Sequence, residues 1–268
     1  MDKPIGVMDS GVGGLTVAKE IIRQLPDEQI IYFGDLRRCP YGDRPLEEVR
    51  RYTVEVADHL VSRGVKMIVV ACNTATAAAL SDLDDRYDIP VIGVINPGAR
   101  SAIQSSNNQD VIVLATNATV NSGAYRDAIH HINGGFKVTS LACPKFVPIV
   151  EELRYKDKVV VRVAIHQTLK GLLGTSADTV ILGCTHYPLL AGEIHDFFGG
   201  RKNVIDSGYE TAREVSSIMT YSKSHAAPGN SKTHVMIVNG DSSRFEYILG
   251  DWIPFIDYKI EEIDLEAY

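Results

Sequence analysis

The 268-residue chain has no apolar run near the roughly 20 residues that a membrane-spanning helix needs. It has no lysine- and arginine-rich stretch either, and its formal net charge is -7. Nucleic acid and membrane surfaces are therefore poor candidates for its main partner. An acidic chain can still hold an anionic ligand, because loop amides bind carboxylates locally. Cysteine is scarce. Cys39, Cys72, Cys143 and Cys184 show neither the density of a secreted disulfide framework nor a C-x-x-C spacing. The N-terminus runs straight into Pro4-Ile-Gly-Val-Met8 with no signal-peptide apolar core. These absences point to a cytoplasmic protein with reduced thiols.

What is present is a set of buried-strand patterns. Apolar residues make up 45% of the chain, enough for one large or two small cores. The organising stretch is Met67-Ile-Val-Val-Ala-Cys72-Asn-Thr-Ala-Thr76. Its β-branched run reads as a strand covered on both faces, and its alanine-rich continuation as a helix. Cys72 falls at the strand-to-helix turn, where Asn73 or Thr74 is placed to cap the helix. A helix N-terminus favours the thiolate, so a lowered pKa is the expectation. Thr179-Val-Ile-Leu-Gly-Cys184-Thr-His-Tyr-Pro188 repeats the pattern. One cysteine at a strand end is ordinarily a small core residue. Two at matching places suggest thiols facing each other across a cleft, doing acid–base chemistry on opposite sides of one atom.

The chain opens with a strand at Ile5 to Met8 and the turn Asp9-Ser-Gly-Val-Gly-Gly14. Thr16 stands where a dinucleotide fingerprint needs glycine, so a nucleotide site is disfavoured. Asp9 suits a helix cap or a catalytic base. A second strand (30–33) leads to the loop 34–44, which carries what reads as an exposed aromatic, Tyr41, beside Gly42. A helix over 46–63 precedes the Cys72 strand, and 89–95 follows as another strand. Asn96-Pro97-Gly98 reads as a break in the chain. Strands at 111–114, 136–141, 179–182, 204–208 and 235–241 alternate with helices at 122–132, 159–173, 209–221 and 244–252, and 256–263 alternates like an edge strand. The alternation predicts an α/β fold of two pseudo-symmetric lobes, each a mainly parallel sheet flanked by helices. The first lobe would be 1–96 with 208–268, and the second 97–207. Every chemistry-bearing motif lies at a strand's carboxyl end, so the active site is expected in the cleft between the lobes.

Five of these stretches carry a family resemblance. Asp9-Ser-Gly-Val-Gly-Gly14, Pro40-Tyr-Gly42, Ala71-Cys-Asn-Thr-Ala75, Phe146-Val-Pro-Ile-Val-Glu151 and Gly183-Cys-Thr-His-Tyr-Pro188 resemble the glutamate racemases of bacteria. The similarity runs from residue 5 to about 250. It implies a cofactor-independent isomerase that interconverts L- and D-glutamate and supplies D-glutamate for peptidoglycan. By the same resemblance Cys72 and Cys184 are the proton-transfer residues, assisted by Asp9 and His186, with Glu151 orienting His186. Ser10, Tyr41, Gly42, Asn73, Thr74, Thr116, Thr119 and Thr185 would bind substrate, alongside Asp9 and His186. A homodimer is the expected assembly, with no metal and no cofactor.

The chemistry fits these residue types. Racemisation removes one α-proton and returns another from the opposite face, so two bases on opposite walls solve the geometry. One is a thiolate while the other is a thiol, and their states swap at each turnover. Asp9 and His186 suit the role of proton shuttles or orienters. Cys39 and Cys143 read as structural. Three alternatives stand beside this reading. One is a racemase for aspartate. Another is a zinc hydrolase using Cys72, Cys184, His186 and Asp206, which lack paired short spacing. The third is a two-lobed amino-acid-binding protein, which would need no paired thiols.

Overall fold

The structure is a computed structural model that describes residues 2–230 and 232–267. Its frame is ten strands in two sheets. The first half supplies β1 (Ile5–Asp9), β2 (Ile30–Gly34), β3 (Met67–Val70) and β4 (Val91–Gly93). The second supplies β5 (Asp110–Ala115), β6 (Lys137–Ala142), β7 (Thr179–Gly183) and β8 (Asn203–Asp206). The chain then returns, and β9 (His234–Asn239) and β10 (Tyr258–Ile263) join the first sheet. The strand orders are β10-β9-β2-β1-β3-β4 and β6-β5-β7-β8. Every pairing is parallel. Removing β9 and β10 leaves two sheets of identical connectivity, so β1 corresponds to β5 and β3 to β7. This is the pseudo-symmetric, two-lobed α/β architecture that the sequence predicts. No described helix is long and apolar enough to cross a membrane.

Helices cover both faces of each sheet. They are α1 (Leu15–Gln24), α2 (Leu46–Ser62), α3 (Asn73–Arg86), α4 (Ile95–Ser105), α5 (Asn117–Ser122), α6 (Ala124–Ile132), α7 (Phe146–Glu151), α8 (Lys158–Leu169), α9 (Ala191–Phe197), α10 (Ser207–Ser222) and α11 (Ser243–Trp252). Strand periodicity sorts the core. Ile5, Val7, Met67 and Val69 share one cluster with Ile112, Leu114, Val180 and Leu182 of the second sheet. Met8, Ile68 and Val70 point the other way, into the layer beneath α2 and α3. Val111, Val113 and Ile181 face α4 and α6. Because the first cluster is continuous through both sheets, burial itself holds the strand ends of the two lobes against each other.

Three local expectations need correction. Asn96-Pro97-Gly98 is no break, because it forms the first turn of α4. Proline is tolerated there, since its missing N–H has no intrahelical partner in a first turn. The helix expected over 122–132 begins earlier and comes in two pieces. Thr116 caps α5, accepting from the Thr119 amide at 3.4 Å, and Gly123 in the left-handed region (φ 71°) separates α5 from α6. Tyr41 is buried at 1% exposure, not displayed. Its ring packs beside Tyr52, and its hydroxyl donates to Asp35.

Candidate active site

Four strand ends meet, two from each sheet. β1 delivers Asp9 and Ser10, and β3 delivers Cys72, while β5 ends at Thr116 and β7 at Cys184. The lobes touch through the side chains at these ends. Thr185 Oγ1 donates to Asp9 Oδ2 at 3.2 Å. Tyr125 Oη donates to Asn73 Oδ1 at 2.6 Å. The Thr74 hydroxyl lies 3.0 Å from Thr116 Oγ1 and 3.1 Å from Thr119 Oγ1, and those two are 3.0 Å apart. Gly42 packs so closely on Thr116 that an added Cβ would lie 2.7 Å from the Thr116 Cβ. Thr16 donates to the Thr185 carbonyl at 3.1 Å, a further contact between the lobes.

Cys72 caps α3 itself. Its sulfur accepts from the Ala75 amide at 3.5 Å and donates to Ser10 Oγ at 3.8 Å. Neither Asn73 nor Thr74 takes the cap. The predicted lowering of the thiol pKa is also overturned. Burial, and secondarily the charge of Asp9, push Cys72 up to about 12, against the smaller pull of the Ala75 amide and Ser10. One amide and one hydroxyl do not compensate for removing a thiolate from water. The Cys184 charge reaches Cys72 and adds to the rise.

Cys184 lies 3.7 Å from His186 Nδ1, and His186 Nε2 lies 2.6 Å from Glu151 Oε1 at the end of α7. Burial opposes charging His186. The hydrogen bonds to Cys184 and Glu151 outweigh that and raise it well above the ordinary imidazole value. Burial likewise works against the Glu151 carboxylate, yet His186 and then Arg244 hold it below its ordinary value. Asp9 is fully buried, accepts from the Gly11 amide at 3.0 Å, and is raised by burial despite His186 and that amide.

Ser10, Asn73, Thr74, Thr116, Thr119, Thr185 and His186 are all buried around this point. The Asn73 amide nitrogen has no protein partner. The Tyr41 hydroxyl is taken up by Asp35, and it is the neighbouring Gly42 that packs on Thr116. Asp206 stands apart, capping α10 through the Gly208 amide at 2.8 Å. Among the described residues, no three His, Cys, Asp or Glu side chains are grouped to hold a metal. Arg244 had no assigned role and Cys39 read as structural, yet both stand beside Glu151. Cys39 lies 4.0 Å from Glu151 Oε1, and Arg244 Nη2 lies 3.7 Å from Glu151 Oε2. Cys72 and Cys184 are both buried, each residue 6% exposed.

Matched parallel sheets with a thiol at the same strand end of each define a class of racemase, and the chain belongs to the Asp/Glu/Hydantoin racemase family, whose pattern matches residues 5–215. It is similar to the glutamate racemase of Staphylococcus carnosus, at 53% identity over 99% of this chain and 100% of that one. Among solved structures it resembles a glutamate racemase isoform of Bacillus anthracis, with a TM-score of 0.93 and 44% identity over 98% of each chain. It also resembles the glutamate racemase of Francisella tularensis solved with D-glutamate, with a TM-score of 0.92 and 32% identity over 100% of this chain and 99% of that one.

Proposed function

We propose that this protein interconverts L- and D-glutamate without a cofactor, using Cys72 and Cys184 as paired proton-transfer groups. The observation that carries the reading is their placement at equivalent strand ends of two sheets with identical connectivity, each thiol beside a second acid–base group. One thiolate takes the α-proton. The S–H bond forms as the C–H bond breaks, and the electron pair stays on the α-carbon and its carboxylate. The opposite thiol gives its proton to the other face, so the product differs only in configuration and the two sulfurs exchange states. Asp9 assists Cys72, while His186, oriented by Glu151, assists Cys184. Ser10, Asn73, Thr74, Thr116, Thr119, Thr185 and the Tyr41-Gly42 backbone anchor the substrate's charges. The unpartnered Asn73 amide supports this, because a buried donor without an acceptor suits a ligand oxygen.

The relatives' substrate favours glutamate over aspartate. The same proposal places the enzyme in the cytoplasm, as a homodimer, supplying D-glutamate for peptidoglycan. It divides the chain into lobes 1–96 with 208–268 and 97–207, a division supported by sheet membership. The test is circular dichroism of L-glutamate incubated with the pure protein. The signal decays to zero, with solvent deuterium entering the α-position and no cofactor added. Cys72→Ala and Cys184→Ala each abolish the decay while folding normally. Near-normal racemisation by either variant refutes the two-thiol reading. Turnover of L-aspartate in place of L-glutamate refutes the substrate.

A further inference from the structure

Glu151 is the point where the second lobe is gripped by the first. α7, which ends in Glu151, follows β6 of the four-stranded sheet, yet three elements of the first lobe close on its carboxylate. Gly11 approaches so closely that an added Cβ would lie 3.4 Å from Glu151 Oε1. Cys39 stands 4.0 Å from the same oxygen. Arg244 in the first turn of α11 reaches the other oxygen, Oε2, at 3.7 Å. Glu151 thus holds His186 with one oxygen and meets Arg244 with the other. A cavity of about 540 Å³ lies behind this contact, lined in part by Arg37, Asp241 and Arg244. Arg37 is engaged elsewhere, 2.7 Å from Asp264.

We propose that Arg244 is a positioning residue for the Cys184 half of the site, clamping Glu151 from the opposite lobe so that the Cys184–His186–Glu151 chain is completed as the lobes close. The inference rests on the racemase reading above. The coupling is electrostatic as well as geometric. Arg244 is a cation one residue removed from His186, so its loss makes a proton on Glu151 or His186 easier to hold. The charged and titratable groups around Glu151 are few. Among the described residues they are His186 with Cys184 and Asp9 behind it, Tyr32 of β2, Cys39 after β2, Asp241 and Arg37 on the cavity wall, Arg244, and Glu152 and Arg154 on its own segment. Removing Arg244 takes one positive charge out of this set and leaves the others.

The test compares wild type, Arg244→Ala and Arg244→Lys. For Arg244→Ala, kcat/KM falls roughly three- to five-fold, the scale of a half-exposed ion pair. It falls equally in both directions, because the two enantiomers have equal energy. Its pH profile moves to higher pH. Arg244→Lys keeps the charge and keeps the profile in place. An unchanged rate in Arg244→Ala overturns the proposal. So does a fall with no movement of the profile, which is what a merely structural role gives, or a displaced profile in the lysine variant. The His186 ring titration, followed by nitrogen-15 NMR, separates this from the parent reading. If wild type does not racemise glutamate, the parent reading fails. The ring titration still moves up in Arg244→Ala and holds in Arg244→Lys if the clamp exists, and is unmoved in both if it does not.

Discussion

Replacing Asp9 by Asn should make Cys72 more reactive toward an alkylating agent and the enzyme slower. Asn keeps the Oδ1 that accepts from the Gly11 amide at 3.0 Å, and its amide group can donate to the Thr185 hydroxyl, so the turn survives. What disappears is the second-largest cause raising the Cys72 thiol, which sits near 12 against an ordinary 9.0. At pH 8 a thiol at 12 holds about one thiolate in 10⁴, roughly a thousandfold less than at 9.0, or about 4 kcal/mol. Alkylation runs through the thiolate. The more basic thiolate is also the stronger nucleophile, so ionisation alone makes iodoacetamide label wild-type Cys72 roughly 30- to 60-fold more slowly than an exposed thiol at the same pH. Its rate keeps rising beyond pH 10. Peptide mass spectrometry separates Cys72 from Cys39, Cys143 and Cys184. In Asp9→Asn the rise comes at lower pH and labelling speeds up. Racemisation falls by about 10²–10⁴, the usual worth of general acid–base assistance. Wild-type Cys72 that labels like a free thiol refutes the burial argument. Slower labelling in Asp9→Asn refutes the electrostatic role of Asp9.

Glu151→Gln should cost about 1.5 kcal/mol at pH 7, the low end for a hydrogen bond to a charged group. A carboxyl held below 4.5 stabilises the fold above that pH and loses the contribution as pH falls through its folded value. The Tm gap between wild type and variant is therefore open at pH 7 and closes below 4.5, and a gap independent of pH refutes the assignment. Gly13→Ala places a Cβ 2.3 Å from Thr185 Oγ1 and 2.6 Å from the His186 ring. It should lower stability in urea by about 1–3 kcal/mol and remove most activity by prising the lobes apart. Near-normal turnover and stability in that variant refute the close lobe contact.

The motifs fixed much of the architecture because their signals are local. A β-branched run buried on both faces reads as a parallel strand, and the repetition of strand, polar turn and helix revealed the two lobes. The strand-end turns reported where the site lies, since side chains at the carboxyl edge have no further strand to pair with. Arg244 and Tyr125 were invisible, and Cys39 read as merely structural, because each acts across the lobes, from positions where charge, thiol and phenol are commonplace in any helix or loop. Pro97 misled because proline punctuates most contexts yet is admitted to a first helical turn.

The order of residues alone therefore determined the α/β class, the duplicated strands and the two cysteines, all of which follow from hydrophobic period and spacing. Tertiary structure alone decided the state of Cys72. The helix terminus visible in the sequence argued for a thiolate, but desolvation and the Asp9 charge act through space and outweigh a single amide at 3.5 Å. The His186–Glu151 pairing spans 35 residues and its Arg244 partner lies farther still, so only the closed packing of two sheets brings those charges together.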